Sequence, residues 1–356
     1  MSAGMVVGIV GCGQIGAMYA DHLDALGSYR VVCVDADRAR AEKLAQGVSS
    51  RTVAESVEEL VSGGCDAALV TAATTSHPEL VGALIDAGVP TLCEKPLTID
   101  LARTEALGTR AEQLGVPLWV GFQRHFDPGF ADLRARTAGG ELGRVQLLRL
   151  VSHDVSMPPL ARLRESGSIF TDLMLHDFDM VRWLTGRRIV QVVADGSALS
   201  GAGLADIGDF DTVTATVRLD DGTLAALSAG RWQPVGYDVR AEVLGEKGNL
   251  QAGLTRAEAP GAGTVDTSRF RGYWDRFATA YREQVRAFLA MAAGGPATSA
   301  AGGWRDSYEA LRCALAAERS ARTGSVPIAL STPLIATPIG TSILDASYGD
   351  SAKGTP

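Results

Sequence analysis

Two acids and a histidine follow one another at helical spacing in the stretch SIFTDLMLHDFDMVRWL, residues 168–184. In an α-helix Asp172, His176 and Asp179 occupy positions i, i+4 and i+7, which places them on one face. Most of the other side chains are apolar, so this line is not typical of a solvated helix face. An imidazole titrates near neutral pH, and a carboxylate one turn away can hydrogen-bond to it. The pattern predicts that His176 takes a proton in catalysis and that Asp172 orients its ring.

Other interpretations of this polar line stay open. Asp179 can accept hydrogen bonds from further substrate hydroxyls, as suits a polyol or an amino sugar. Carboxylates and imidazole are also ordinary metal ligands, and a buried His–Asp pair can be purely structural. Because the chain has no cysteine cluster and no HxxEH-like partner, we predict that no metal is bound.

A glycine-rich turn lies near the start of the chain, in MVVGIVGCGQIG, residues 5–16. It joins an apolar run to a helical pattern. Gly11 allows a tight turn, Gly13 lets the backbone approach a pyrophosphate, and Gly16 lets the helix lie close to the strand. The N–H groups at the helix start, near Gln14 and Ile15, favour phosphate. The segment predicts a dinucleotide-binding site.

Asp35 ends the second apolar run, RVVCVDAD. A carboxylate there can accept from both ribose hydroxyls of NAD and would repel the 2′-phosphate of NADP. Two alternatives remain: Asp35 caps a helix that begins near Asp37, or Arg38 pairs with a 2′-phosphate. NAD is the predicted cofactor, and use of NADP stays open.

Apolar runs alternate with helical patterns up to about residue 124, which predicts a doubly wound parallel sheet, a Rossmann domain. The last strand is predicted over VPLWVGFQRHF, residues 116–126. Ligands bind at the carboxyl ends of such strands. Lys95, in CEKP, ends one run and can stabilise a developing oxyanion beside a nicotinamide; a solvated surface lysine is the alternative. The other cofactor-binding residues predicted at this edge are Thr71, Ala72, Thr74, His77 and Glu94.

The second half of the chain has a different pattern. Period-two alternation and the turn pair Asp221–Gly222 predict a large, mostly antiparallel sheet, and hence a C-terminal α+β domain with one open sheet face. We expect a homo-oligomer, a dimer or tetramer, built on this face. Residues 271–291 predict an amphipathic helix. Arg124, at the edge of the first sheet, and His153, near a strand end, are candidate substrate-binding residues, and each can equally be an ordinary edge residue.

Five segments together resemble the glucose–fructose oxidoreductase, inositol dehydrogenase and rhizopine-catabolism (Gfo/Idh/MocA) family, nearest to inositol 2-dehydrogenases. They are GIVGCGQIG, TSHPELVGALIDAGVPTLCEKPL, VGFQRHFDPGF, SGSIFTDLMLHDFDMVRWL and GYDVRAEVLGEKGNL. The resemblance implies that Lys95, Asp172 and His176 are catalytic and that Tyr281 approaches the substrate, although an aromatic at helical spacing can also be a core residue. Tyr237 belongs to the matching GYD segment and either contacts the ligand or only packs. His125 stands where inositol dehydrogenases usually carry a second arginine, and VSHDVSMPP also differs, so the substrate stays open.

Length and composition agree with a globular enzyme. The 356 residues allow two domains, which we place at 1–124 and 125–331, with a partly disordered tail at 332–356. A formal net charge of −8 argues against nucleic-acid or anionic-membrane partners, and no run is long enough to span a membrane. Five cysteines without a CxxC pair, and no signal peptide, indicate a cytoplasmic protein.

These observations predict an NAD-dependent dehydrogenase. It would move a hydride from a ring carbon of a cyclitol, sugar or amino-sugar glycoside to C4 of the nicotinamide, leaving a ketone. Two alternatives are a sugar-nucleotide or dihydrodiol dehydrogenase or reductase of the same family, and a non-catalytic NAD-sensing protein. The sensor could dispense with the lysine and the Asp–His pair, and all three residues are present here.

Overall fold

The computed structural model describes residues 4–27, 29–200, 203–234, 236–253 and 270–330. The tail predicted at 332–356 lies outside the described residues. The first half alternates strands and helices as expected: β1 (Val6–Val10), α1 (Gln14–Leu26), β2 (Arg30–Val34), α2 (Arg38–Ala45), β3 (Arg51–Val53), α3 (Val57–Ser62), β4 (Ala67–Val70), α4 (His77–Asp86), β5 (Thr91–Cys93), α5 (Leu101–Leu114) and β6 (Leu118–Val120).

The second half contains α6 (Pro128–Ala138), β7 (Val145–His153), α7 (Leu160–Ser166), α8 (Leu175–Thr185), β8 (Ile189–Ser197), α9 (Leu204–Ile207), β9 (Thr212–Leu219), β10 (Leu224–Gly230), β11 (Asp238–Gly245), β12 (Gly248–Ala252), α10 (Tyr273–Arg276), α11 (Ala278–Ala292), β13 (Gly302–Gly303), α12 (Trp304–Arg322) and β14 (Ile328–Ala329).

The first sheet has the order β13-β6-β5-β4-β1-β2-β3. Strands β1 to β6 run parallel, and β13 adds to the edge in the antiparallel direction. The chain reverses its winding at β1, between β2 and β4. In such sheets, ligands bind beyond the strand ends at this switch point, which is where the glycine-rich turn lies. The Rossmann fold predicted for this half is confirmed.

The second sheet has the order β12-β11-β7-β10-β9-β8-β14. Only β7 and β10 are parallel neighbours among these described strands, so the prediction of a mostly antiparallel sheet is confirmed. In β9 every second residue is buried and those between are exposed. Helices α8 and α12 contact strands of this sheet. The alternation means that one face is covered while the other is open.

Three local expectations were wrong. The strand predicted through residue 126 ends at Val120 and is followed by a 3₁₀ turn, Gln123–Phe126. The helix predicted over 271–291 is interrupted at Phe277, whose non-helical φ of −111° and ψ of 17° accompany a fully buried ring. The stretch 168–184 is not one regular α-helix, because Phe170–Met174 forms a wider π-helical turn before α8.

Candidate active site

A cavity of about 620 Å³ lies beyond the carboxyl ends of the first sheet and continues to the second domain. Its volume is in the range of ordinary ligand sites. Most of the predicted cofactor-binding and catalytic residues line it, together with two predicted substrate-binding tyrosines: Gly13, Gln14, Ile15, Thr71, Ala72, Thr74, His77, Glu94, Lys95, Asp172, His176, Tyr237 and Tyr281.

The glycine-rich turn has the shape that a pyrophosphate requires. Gly11 has a φ of +103°, a conformation that favours glycine. A Cβ at Gly16 would overlap the Gly11 carbonyl oxygen, whereas a Cβ at Gly13 would meet nothing within 4 Å. The open space at Gly13 adjoins the first turn of α1, with its free N–H groups. The residues present therefore fit a dinucleotide.

Asp35 is held beside this turn. Its carboxylate accepts hydrogen bonds from the Cys12 N–H (2.6 Å) and the Asp37 N–H (2.8 Å). Asp37, and not Asp35, caps α2, by accepting from the Ala39 N–H. Arg38 forms ion pairs with Glu42 and Glu55, so its charge is already balanced. This arrangement fits the ribose hydroxyls of NAD.

Lys95 belongs to a chain of buried and half-buried charges. Its Nζ donates to the Asp172 backbone oxygen (2.8 Å) and to Asp172 Oδ1 (3.2 Å). Arg231, fully buried, donates to Asp172 Oδ2 (3.1 Å) and to Asp209 (3.2 Å). Burial acts to raise the pKa of Asp172, but Lys95 and Arg231 outweigh it and hold that pKa below its usual value. Asp172 is therefore an anion that fixes the Lys95 ammonium.

His176 lies next to this network without being bonded to Asp172. The ring is buried, and Nδ1 has no hydrogen-bond partner among the described residues. Burial, and then the positive charges of Arg124 and Lys95, hold the pKa of His176 well below its usual range. The prediction that Asp172 orients this ring was wrong. It assumed regular α-helical spacing, and the π-helical turn containing Asp172 breaks that spacing.

Glu94, the residue before Lys95, forms a buried hydrogen bond. It lies at the end of β5, accepts from the Tyr19 hydroxyl at 2.5 Å and is almost fully buried. Burial raises the pKa of Glu94. Burial, followed by the nearby Glu94 charge, also raises the pKa of Tyr281 well above its ordinary value. Tyr281 therefore stays a neutral hydroxyl in the cavity wall.

Three predicted substrate-binding residues do not line the cavity. Arg124 is buried and donates to Asp177 (2.8 Å) and Ser152 (3.0 Å). Asp179 is paired with His125 Nε2 at 2.7 Å. The ring of His153 is hydrogen-bonded to Ser228 on the neighbouring strand (3.0 Å). Each of these side chains is bound to another residue of the same chain and does not line the cavity, so the prediction that the three bind substrate was wrong.

Sequence reasoning missed other residues of the site. Asp154 lines the cavity directly after β7, and burial, followed by the Asp172 charge, raises its pKa to about 6. No described residue forms a hydrogen bond or ion pair with its carboxylate. The position of Asp154 directly after a strand was a sequence signal that could have identified it as a site residue. Nothing in the sequence pointed to Arg231 and Asp209, because only the folded chain brings them close to Asp172.

Two family models match the chain. Residues 5–122 match the oxidoreductase family with an NAD-binding Rossmann fold, and residues 130–251 match the GFO/IDH/MocA C-terminal domain. The chain belongs to this family. Its members' shared fold agrees with both sheets described above, and the chain is an NAD-binding oxidoreductase that acts on CH–OH groups. The resemblance seen in the five sequence segments is thereby confirmed.

The relatives of this family member include named enzymes. The chain is 79% identical over 325 residues to myo-inositol dehydrogenase Hyg17 of Streptomyces leeuwenhoekii, covering 91% of this chain and 100% of that protein. It is 33% identical to the myo-inositol 2-dehydrogenase of Thermotoga maritima, covering 89% and 96% of the two chains. A crystal structure of a myo-inositol dehydrogenase from Corynebacterium glutamicum matches with a TM-score of 0.83 at 28% identity, covering 93% and 100%.

Two further properties concern only the part of the chain that the structure describes. It contains no group of three or more His, Cys, Asp and Glu side chains that could hold a metal ion. Nor does it contain a helix of the length and apolar character needed to cross a membrane.

Proposed function

We propose that this oxidoreductase converts a secondary ring hydroxyl of a cyclitol or related sugar to a ketone with NAD⁺. The observation that carries the proposal is the meeting of Lys95, Asp172 and His176 in the wall of one cavity that the glycine-rich turn also lines. An ammonium and a neutral imidazole in one cavity are the groups that an alcohol oxidation needs. The names of the relatives support a polyol substrate.

The side chains have distinct roles in this proposal. NAD⁺, when bound, supplies the hydride acceptor. Lys95 donates a hydrogen bond to the reacting oxygen and stabilises its developing negative charge. Asp172 positions the Lys95 ammonium through its carboxylate and backbone oxygens. His176, which burial and then the neighbouring positive charges keep in its neutral form, takes the hydroxyl proton.

The remaining cavity wall favours a polyhydroxylated ring. Asp154 presents a carboxylate that no described residue pairs, so it can accept from ring hydroxyls. Tyr237 and Tyr281 have pKa values raised mainly by burial, so their hydroxyls stay neutral and can donate. A ring that carries hydroxyls on several carbons can satisfy such groups together.

We also propose that the chain forms a homo-oligomer through the open face of the second sheet. In one row across this face, Arg149, Ala226, Thr216 and Val193 are successive neighbours in register. A further row contains Leu147 and Leu224. The apolar and small polar side chains of these rows can be buried against a second copy, and the charge of Arg149 is paired with Glu242.

Five free cysteines among the described residues support a reducing, cytoplasmic location.

The test is nicotinamide reduction, followed by the absorbance of the reduced cofactor. NAD⁺ and NADP⁺ are each tried with myo-inositol, scyllo-inositol, glucose, a uridine diphosphate sugar and an aromatic dihydrodiol. We expect turnover with NAD⁺ and at least one inositol. Turnover only with the nucleotide sugar or the dihydrodiol would overturn the substrate class. NAD binding by calorimetry without any turnover would overturn the catalytic proposal and favour a sensor.

A further inference from the structure

A second cavity, of about 540 Å³, lies away from the glycine-rich turn. It is formed by the edge strands β6 and β13, the end of α8 and the start of α12. Helix α8 contributes to both cavities, with His176 in the first and Trp183 in the second. The dehydrogenase function proposed above uses no group of this second cavity.

One wall of the second cavity is a stack of three flat groups. The rings of His125 and Trp183 are parallel, with centroids 4.4 Å apart and an interplanar angle of 3°. The guanidinium of Arg134 lies over Trp183 at 4.7 Å from the ring centroid. His125 is itself held by Asp179 (2.7 Å) and the Ala300 backbone oxygen (3.1 Å). The stack therefore holds the Arg134 guanidinium in place against an aromatic face.

Arg134 differs from the other cations of this cavity. Arg182 pairs with Asp306, Arg187 with Asp221, and Arg305 with Glu112. Arg134 forms no ion pair with a described carboxylate, and its one hydrogen bond, to the Ser299 backbone oxygen, is long at 3.4 Å. The side chain is half-buried, and burial lowers its pKa. The charges of Asp306 and Asp179 act on Arg134 from beyond ion-pair distance. A positioned cation that no described carboxylate pairs is a group that an anion can bind.

Part of the lining of the second cavity is apolar. Val116, Pro117, Leu118 and Trp119 belong to it. The Trp304 indole also borders the cavity, but its ring is covered by the Arg305 guanidinium at 4.3 Å from the ring centroid. Aliphatic and aromatic surfaces such as those of Val116, Pro117 and Leu118 can bury an aromatic or alicyclic ring. The cavity is also large enough to enclose a ligand of ordinary small-molecule size, so the Arg134 cation and this apolar lining can contact one ligand.

We propose that the second cavity binds a small organic anion that pairs its carboxylate or phosphate group with Arg134 and packs an apolar ring against Val116, Pro117 and Leu118. The binding energy has two separable parts. The charged part depends on Arg134, whereas the apolar part does not. Two ligands that differ only in charge can therefore distinguish this site from a general hydrophobic patch.

The test measures binding of naphthoate and of the neutral naphthamide to the full chain by calorimetry. The enzyme is saturated with NADH so that the cofactor part of the dehydrogenase cavity is filled. We expect naphthoate to bind at least about tenfold more tightly than naphthamide. Arg134→Gln should weaken naphthoate by a similar factor and leave the dissociation constants for naphthamide and NADH unchanged.

The matched control is Arg136→Gln. Arg136 lies two residues further along α6 on the surface and forms ion pairs with Asp132 and Glu141. This variant should bind naphthoate within about twofold of the wild-type value. Any of three results would overturn the proposal. They are equal affinities for naphthoate and naphthamide, an equal loss of naphthoate affinity in both variants, and no naphthoate binding at millimolar concentration. Thermal melting of both variants identifies any loss caused by unfolding.

Discussion

At the scale of single residues, burial and neighbouring charge set which groups of the dehydrogenase cavity carry protons. Burial acts to raise the pKa of Asp172, but Lys95 and Arg231 lower it and keep Asp172 ionised. No described carboxylate pairs with His176, and burial, followed by the charges of Arg124 and Lys95, lowers the pKa of its ring. The same helical segment therefore contains an anion and a neutral base. This pairing of protonation states suits proton removal from an alcohol.

Lys95→Met and His176→Asn should each lower kcat by about 10²–10⁴-fold, since positioned acid–base and oxyanion groups usually contribute this much. The dissociation constant for NADH should stay within about threefold. Steady-state rates with an inositol and calorimetry with NADH are the measurements. His22→Asn, in α1 and outside the cavity, is the control and should keep the wild-type rate. Wild-type turnover in either cavity variant would contradict the assigned roles.

Asp154→Asn should change how stability depends on pH. The pKa of Asp154 is raised from 3.8 to about 6 in the folded protein, so the folded state binds this proton more tightly than the unfolded chain does. The stabilisation from the proton is complete below the unfolded pKa and is lost as pH rises through about 6. The free energy of unfolding of Asp154→Asn, relative to that of wild type, should therefore increase by about 1–3 kcal/mol when the pH is raised from about 4 to about 8.

Urea unfolding at both pH values measures this difference. The control is Asp206→Asn, at an exposed position in α9, which should show no such change. A stability difference between Asp154→Asn and wild type that is the same at both pH values would mean that the carboxylate is fully solvated in the folded protein.

At the scale of elements, short irregular turns position the site. The glycine-rich turn brings Asp35 to the start of α1 through the Cys12 N–H. The π-helical turn Phe170–Met174 turns Asp172 towards Lys95 and Arg231. A π-turn adds one residue to a helical turn, so side chains on either side of it no longer follow α-helical spacing. Such turns are often found at functional sites.

Two glycine variants should separate cofactor binding from folding. Gly16→Ala places a Cβ on the Gly11 carbonyl oxygen, so it should lower the free energy of unfolding by about 1–3 kcal/mol and weaken NADH binding. A Cβ at residue 13 meets no protein atom within 4 Å, so Gly13→Ala should leave the free energy of unfolding unchanged. It should weaken the binding of NADH by about tenfold or more, because the methyl group lies where the pyrophosphate approaches the backbone.

Urea unfolding and NADH calorimetry on the same two variants provide the check. Each variant serves as the control for the other. Unchanged NADH affinity in Gly13→Ala would show that the dinucleotide does not approach the turn at this glycine.

At the scale of the whole molecule, the dehydrogenase cavity needs both halves of the chain. Lys95 comes from the first sheet, and Asp172, Arg231 and Tyr281 come from the second half. The second sheet covers α8 with one face and leaves the other open. The open face carries the mixed side chains described above, so a second copy of the chain can pack on it.

Thr216→Arg should change the oligomeric state. Thr216 is an exposed residue of β9 on the open face, between Ala226 and Val193. A charged side chain there would be buried without a partner in a face-to-face assembly. Light scattering should therefore report the mass of one chain for the variant and a multiple of it for the wild type. Gln46→Lys, on the surface of the first domain, should keep the wild-type mass. A monomeric wild-type protein would contradict the proposal.

Local chemistry was enough to predict much of the molecule. The turn from Gly11 to Gly16, its flanking strand and helix, and the hairpin at Asp221 and Gly222 all follow from conformational preferences of neighbouring residues. The Rossmann fold, the antiparallel second sheet and the residue types available at the strand ends were all predictable from these local patterns. These signals are short in sequence, so no knowledge of tertiary contacts was needed.

The partner of each buried charged side chain depends on how the two halves of the chain pack together. Asp172 meets Lys95 across 77 residues of sequence and Arg231 across 59, although helical spacing pointed to His176. Asp177 likewise pairs with Arg124, so that arginine does not line the cavity. A buried charge requires a counter-charge or a hydrogen bond wherever the fold supplies one. Spacing along one helix describes only that helix, and it cannot show which charges the packing of two domains brings together.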